Sequence, residues 1–230
     1  MKVKFGAIIV DGRNKVGGHV LSKNRAGSYM RTKVTPVNPQ TSYQADARNI
    51  LGNLSQAWRG LTDEQRQTWN NAVGDYARTD IFGDIKNPSG FNLFVKLNTN
   101  RMLFSLAQLD SAPFPQAIPE ISITDLSLDL MGPAFALTFS PAVPANTGIK
   151  FFITAGQSAG KNFVKSEYRM LTVLPATEVS PYTFEVPYQV RFGLPAEGSK
   201  VFAKLVVVNT ATGQESPPLF ISTDVVDTTP

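Results

Sequence analysis

The stretch Gly156-Gln157-Ser158-Ala159-Gly160 spells G-x-S-x-G, the pattern that sets a serine nucleophile on a sharp strand-to-helix turn for acyl transfer. Such a site needs a helix after the turn, then an acid and a histidine later in the chain. Here Lys161-Asn162-Phe163-Val164 follows without a helical pattern, and the single histidine, His19, lies upstream. The stretch reads as a loop between strands. Extended to Lys161 and Asn162, it also resembles a phosphate-binding loop. That cradle needs four residues between its glycines and a hydroxyl after the lysine. Three intervene, and Asn162 stands in the hydroxyl position, so the cradle is one amide short and magnesium would lack a ligand. Asp11, Asp75, Asp80 and Asp84 lie around turns without calcium-loop spacing and read as turn residues. His19, beside Gly17-Gly18, reads as a polar strand residue.

Cysteine is absent and histidine occurs once. Disulfides, thiolate zinc sites, cysteine nucleophiles and two-histidine metal sites are excluded, and the usual hydrolytic triads lack their base. The expectation is a protein that is not an enzyme, with no catalytic, cofactor-binding or metal-binding residues.

The remaining chemistry is positive charge, and it is unevenly placed. The chain has 230 residues, 42% hydrophobic and 17% charged, with net charge +4. Residues 1–48 hold nine Lys/Arg and two acids, a net +7, and the other 182 residues carry −3. Arg13, Lys15, Lys23, Arg25, Arg31 and Lys33 are interleaved with Gly, Asn and Ser. They suit charge-assisted hydrogen bonds to carboxylates on a partner or contacts to phosphate. Single-stranded nucleic acid usually recruits stacking aromatics, and only Tyr29 is at hand. An assembly surface of Arg13, Lys15, Lys23, Arg25, Tyr29, Arg31 and Lys33 is the leading reading, with nucleic-acid contact and plain solubility as alternatives.

The elements that would position these residues fall into segments. Residues 1–38 form a basic, extended, hairpin-like arm with β-prone pieces at Lys2–Val10, Gly18–Ser22 and Ser28–Val37. Asp11-Gly12 is a hairpin turn signal, and Tyr29-Met30-Arg31-Thr32-Lys33-Val34 alternates basic with other side chains across a strand. Residues 39–109 form a helical domain. Asn38-Pro39 suits a helix start with proline in the first helical position, Thr41/Gln44 and Thr62/Gln65 fit capping boxes, and Tyr43, Ala47, Ile50, Leu51, Leu54, Ala57, Trp58 and Leu61 keep helical spacing. A third helix is expected over Ser89–Leu109, and a core of Trp58, Trp69, Tyr76 and Phe94 for the whole. Residues 110–120 are a proline-rich linker, a semi-rigid spacer. Residues 121–226 read as seven strands at sandwich spacing: Ser122–Leu130, Ala134–Ser140, Lys150–Ala155, Tyr168–Leu174, Tyr182–Val186, Val201–Val208 and Leu219–Val225. Residues 227–230 are a tail. The fold class is α+β multidomain.

Two resemblances sharpen the reading. Val201–Val208, the turn Asn209-Thr210-Ala211-Thr212-Gly213 and then Pro217-Pro218-Leu219 look like the last hairpin of a fibronectin type III or immunoglobulin-like domain. There is no cysteine pair and no tryptophan in this half, so an antibody-type domain is not expected. In the first 100 residues, Gly12-Arg13-Asn14-Lys15-Val16-Gly17-Gly18, then Ser22-Lys23-Asn24-Arg25-Ala26-Gly27-Ser28-Tyr29 and Pro36-Val37-Asn38-Pro39-Gln40-Thr41 resemble an N-terminal module of uncharacterised proteins of tailed bacteriophages and prophages, crAss-like podophages among them. Gln44, Arg48, Leu54–Trp58, Leu61–Arg66 and Trp69-Asn70 fit the same module.

The resemblance implies a virion or virion-assembly protein. The expectation is a structural subunit of a ring or shell at the neck or tail connector, homo-oligomeric, contacting portal, adjacent ring, tail or capsid proteins. The alternatives are a capsid-associated or host-surface-binding accessory module, with Tyr182 and Phe192 as aromatic candidates, and a DNA-binding virion protein that contacts packaged DNA. No membrane partner is expected, since the apolar run Ala7–Val10 is far too short for a span. The protein would be made and assembled in the bacterial host cytoplasm.

Overall fold

The computed structural model describes residues 1–4, 12–24, 27–130 and 135–228. The chain is α+β, with four helices and several antiparallel sheets among the described residues. It opens with β1 (Asn14–Val16), β2 (His19–Asn24) and β3 (Gly27–Thr32), a meander in the order β1-β2-β3. Gly17 and Gly18 make the two-residue turn between β1 and β2, and Gly17 has φ +57°, a conformation that suits glycine. Lys2 bridges to Tyr29 on the outer side of β3. The expected strand over Lys2–Val10 and the Asp11 turn fall mostly outside the described residues. The strand expected to run to Val37 stops at Thr32. Residues 33–41 carry no helix or strand, because Pro36 and Pro39 lack an N–H and restrict the residues before them.

Helix α1 (Ser42–Gly60) begins three residues after Pro39, not at it. Gln40 intervenes with φ 50°, a left-handed backbone that no α-helix contains. Thr41 Oγ1 accepts from the Gln44 amide at 3.3 Å, but the buried Gln44 Oε1 has no partner. Only half of that capping box forms. The Thr62/Gln65 box at α2 (Asp63–Asn71) is complete in both directions. A 3₁₀ turn (Ala72–Gly74) and a short hairpin, β4 (Arg78–Thr79) with β5 (Ile85–Lys86), lead to α3 (Gly90–Leu103), which Ser89 caps. α3 ends six residues earlier than its apolar pattern suggests. Asn98 is responsible: its side chain donates to Leu109 O at 3.2 Å and accepts from Leu109 N at 2.7 Å. That pair folds residues 104–109 back along the helix.

Leu54, Leu61, Trp69, Leu93, Phe94 and Leu97 form one buried cluster, with Trp58 and Tyr76 packed against it. Phe94 lies 5.3 Å from each tryptophan ring, edge-on to Trp69, a favourable aromatic geometry.

The second half holds β6 (Ser122–Ser127), β7 (Ala136–Ser140), β8 (Thr147–Ile153), β9 (Arg169–Leu174), β10 (Tyr182–Thr183), α4 (Glu185–Phe192), β11 (Lys200–Asn209) and β12 (Leu219–Asp224). They make a three-stranded sheet, β10-β7-β6, and a four-stranded sheet, β12-β11-β8-β9. The two share one core through Leu126, Leu137, Phe139, Ile149, Phe151, Ile153, Val201, Ala203, Leu205 and Val207. The strand expected over Tyr182–Val186 is only two residues long and gives way to α4. Pro187 sits in the first turn of that helix, where its missing N–H costs nothing. Tyr182 and Phe192 pack on the core rather than standing at loop tips.

β11 explains how the halves meet. Its inward residues alternate, yet Val206 and Val208 on the outer face are buried too, as happens where both faces of a sheet are covered. The cover is α3 and its C-terminal end. Phe104 lies against Gly148, the β8 partner of Val208, where a Cβ would sit 2.2 Å from the ring. The 110–120 segment runs along both halves. Trp69 Nε1 donates to Asp110 O at 2.8 Å, Tyr76 Oη to Pro113 O at 3.0 Å, and the Gln116 amide to Gln214 Oε1 at 2.7 Å.

Candidate assembly surface

The register of β1–β3 sorts the basic residues by face. Lys15, Val20 and Arg31 stand opposite one another across three strands, and Lys2, Tyr29 and Ser22 form the next row. Opposed residues share a face, so Lys2, Lys15, Tyr29 and Arg31 lie together. Lys33 extends the same face, its amide bonded to Gly18 O at 2.8 Å. Lys23 falls on the other face, in line with Leu21, Met30, Val16 and the exposed His19. Arg13 precedes β1 and is exposed. Arg25 lies outside the described residues. The sheet therefore gathers four of the residues singled out in the sequence, Lys15, Tyr29, Arg31 and Lys33, adds Lys2 to them, and separates Lys23. Among the described residues, no carboxylate pairs with Lys15, Arg31 or Lys33.

No described residue before Leu54 is buried. A small sheet normally needs a hydrophobic face packed on something for stability of its own. Val16 is 60% exposed, and Val20, Leu21, Tyr29 and Met30 are only half-buried. This sheet is held by its ladder hydrogen bonds and by a tether at its edge.

The tether was invisible in the sequence. Lys2 Nζ lies 3.3 Å from Asp80 Oδ2, and Lys4 Nζ 3.1 Å from Asp84 Oδ2 and 5.1 Å from the centre of the Phe82 ring. Asp80 also accepts from the amides of Phe82 and Asp84, at 2.8 and 3.1 Å. Burial pushes its carboxyl up, but the two amides and Lys2 outweigh that and hold it below its ordinary value. Asp80 and Asp84 thus shape a turn and pin the segment of Lys2 and Lys4 that bridges to β3. Among the described residues, no group of three or more metal-ligating side chains is assembled.

A second polar cluster welds α3 to the sheets. Lys150, largely buried, reaches Glu215 and Asn100 Oδ1, the latter at 3.2 Å. Asn100 Nδ2 donates to Gly213 O at 2.7 Å. Arg101 donates to the carbonyls of Thr210 and Ala211, and to Ala107 O at 2.9 Å. Burial alone would raise the Glu215 carboxyl, and the hydrogen bond and charge of Lys150 leave it lowered instead. With each group partnered inside the chain, the cluster reads as a structural joint.

Residues Gly156–Gly160 form an irregular loop, and no helix follows them, so Ser158 does not sit on a strand-to-helix elbow. No helix among the described residues is long and apolar enough to cross a membrane. No protein-family model, curated protein or solved structure matches the chain.

Proposed function

We propose that the chain is a structural, non-enzymatic subunit of a tailed-phage particle that assembles as a ring or shell at the neck or tail connector. One observation carries the reading: a basic sheet with no buried residue among those described, tethered at its edge by Lys2 and Lys4. Lys15, Arg31 and Lys33, which no described carboxylate pairs, and the half-exposed apolar residues of such a sheet gain partners by docking on another surface. A partner presenting carboxylates answers both needs. In a symmetric ring each such contact repeats, so pairs worth under ~1 kcal/mol apiece add up. The resemblance of the first 100 residues to tailed-phage proteins supports the same assignment.

In this reading the three helices are the body of the subunit. The two sheets with their shared core are an immunoglobulin-like or fibronectin III-like sandwich that projects from it. The test compares the full chain with a variant lacking residues 2–37, by light scattering and negative-stain imaging. The full chain should form closed rings or larger assemblies, and the variant should remain monomeric. Monomers from both, or assembly by both, would overturn the proposal.

A further inference from the structure

Where α3 no longer covers the outer face of the four-stranded sheet, the sheet opens into a groove of about 530 Å³, within the range of small-ligand sites. The row Phe220, Lys204 and Phe152 crosses three strands in register there. Lys204 Nζ sits 4.1 Å from the Phe152 ring centre and 5.2 Å from that of Tyr168, whose ring is 6.0 Å from Phe220. Phe163, on the loop after Gly160, is 73% exposed, and Phe220 is 61% exposed. Water-facing phenylalanines clustered at one concave site mark a surface that gains by being covered.

The charge of the groove is one-sided. Lys165 and Lys204 line it, and no Asp or Glu is among the described residues that do. No carboxylate is in ion-pair contact with Lys204 among the described residues: Glu215, bonded to Lys150, acts on it only through space, and Glu167 is bonded to Lys161, at 3.2 Å. The backbone of β11 is already bonded to β8 and β12 on its two sides. At the centre of the floor, β11 therefore offers an extended peptide no main-chain partners of the kind strand addition uses. What the groove offers is ring faces, an ammonium and side-chain polar groups, Asn162 and Ser222.

We propose that this groove binds an acidic saccharide. The C–H face of a sugar ring lies on Phe163 or Phe220, its carboxylate pairs with Lys204, and its hydroxyls meet Asn162 and Ser222. The site is independent of the basic sheet, so it stands or falls apart from the assembly role.

The test is calorimetric titration of the full chain with trigalacturonate, a sialylated trisaccharide and a hyaluronan tetrasaccharide, with their neutral counterparts and an Asp/Glu-rich peptide as comparisons. At least one acidic sugar should bind, with its neutral counterpart at least tenfold weaker. Lys204→Met and Phe163→Ala should each lose about tenfold, and Phe163→Ala should melt like the parent because its ring is exposed. Silence across the sugars, equal binding of neutral forms, unchanged affinity in both variants, or binding of the peptide alone would overturn the proposal.

Discussion

At the level of single residues, the joint between the halves is where small changes should cost most. Asn100 is fully partnered in a buried setting, bonded to Gly213 O and to Lys150. Asn100→Ala leaves a buried carbonyl and a buried ammonium each short of a partner, and should destabilise by about 1–3 kcal/mol in urea unfolding. Gly213 has φ +80°, and an added Cβ would lie 2.2 Å from Leu97 O. Gly213→Ala therefore fails on conformation and on space, and should cost at least ~2 kcal/mol. A third residue gives a pH signature. The Lys161 hydrogen bond, with the amides of Lys165 and Ser166, holds the Glu167 carboxyl at about 2, against an ordinary 4.5. Its folded form binds a proton less readily than its unfolded form, so its stabilisation is complete above pH 4.5 and fades as pH falls toward 2. The stability gap between the parent and Glu167→Gln should shrink over that window. None of these three could be read from the chain. Asn100, Lys150, Glu215 and Glu167 matter through neighbours that only the fold supplies.

At the level of elements, legibility tracked how local the determinant was. The α2 start was readable because both halves of its box lie within four residues, and Thr62→Ala should cost about 1 kcal/mol. Thr41→Ala should cost less, since the reciprocal half of its box is absent; paired melts of the two variants check the order. The end of α3 was misjudged because Asn98, inside the helix, captures the backbone of Leu109, eleven residues further on. α4 was missed because Tyr182–Val186 is β-prone, while the preference of Pro187 for a first helical turn is weak alone. Six of the seven expected strands were recovered close to full length because period-two alternation against a shared core is strong, and β11 departs from it where Val206 and Val208 are buried on the outer face. Gly52, inside α1 with nothing within 4 Å of an added Cβ, is a site where the helix is weaker than it needs to be. Gly52→Ala should stabilise by roughly 0.5–1 kcal/mol in thermal unfolding.

At the level of the whole molecule, stability is divided very unevenly along the chain. Both buried clusters and the polar joint lie beyond residue 53, and among the described residues a pair of ion pairs ties the edge of the first sheet to the rest. The Lys4–Asp84 pair is exposed on both sides, at 57% and 41%, and contributes little in water, while Lys2, 36% exposed, meets an Asp80 side chain only 4% exposed. The amides of β2 and β3 should then exchange with solvent by local opening, at free energies far below that of global unfolding, while those of β8 and β11 exchange only when the molecule unfolds. Native-state hydrogen exchange on the chain diluted until it is monomeric measures both. Removing residues 2–37 should correspondingly shift the global unfolding free energy by less than ~1 kcal/mol. If β2 and β3 were protected as strongly as β11 in a monomer, the sheet would already have its stabilising contacts within one chain. It would then have no unmet need for a neighbour to supply.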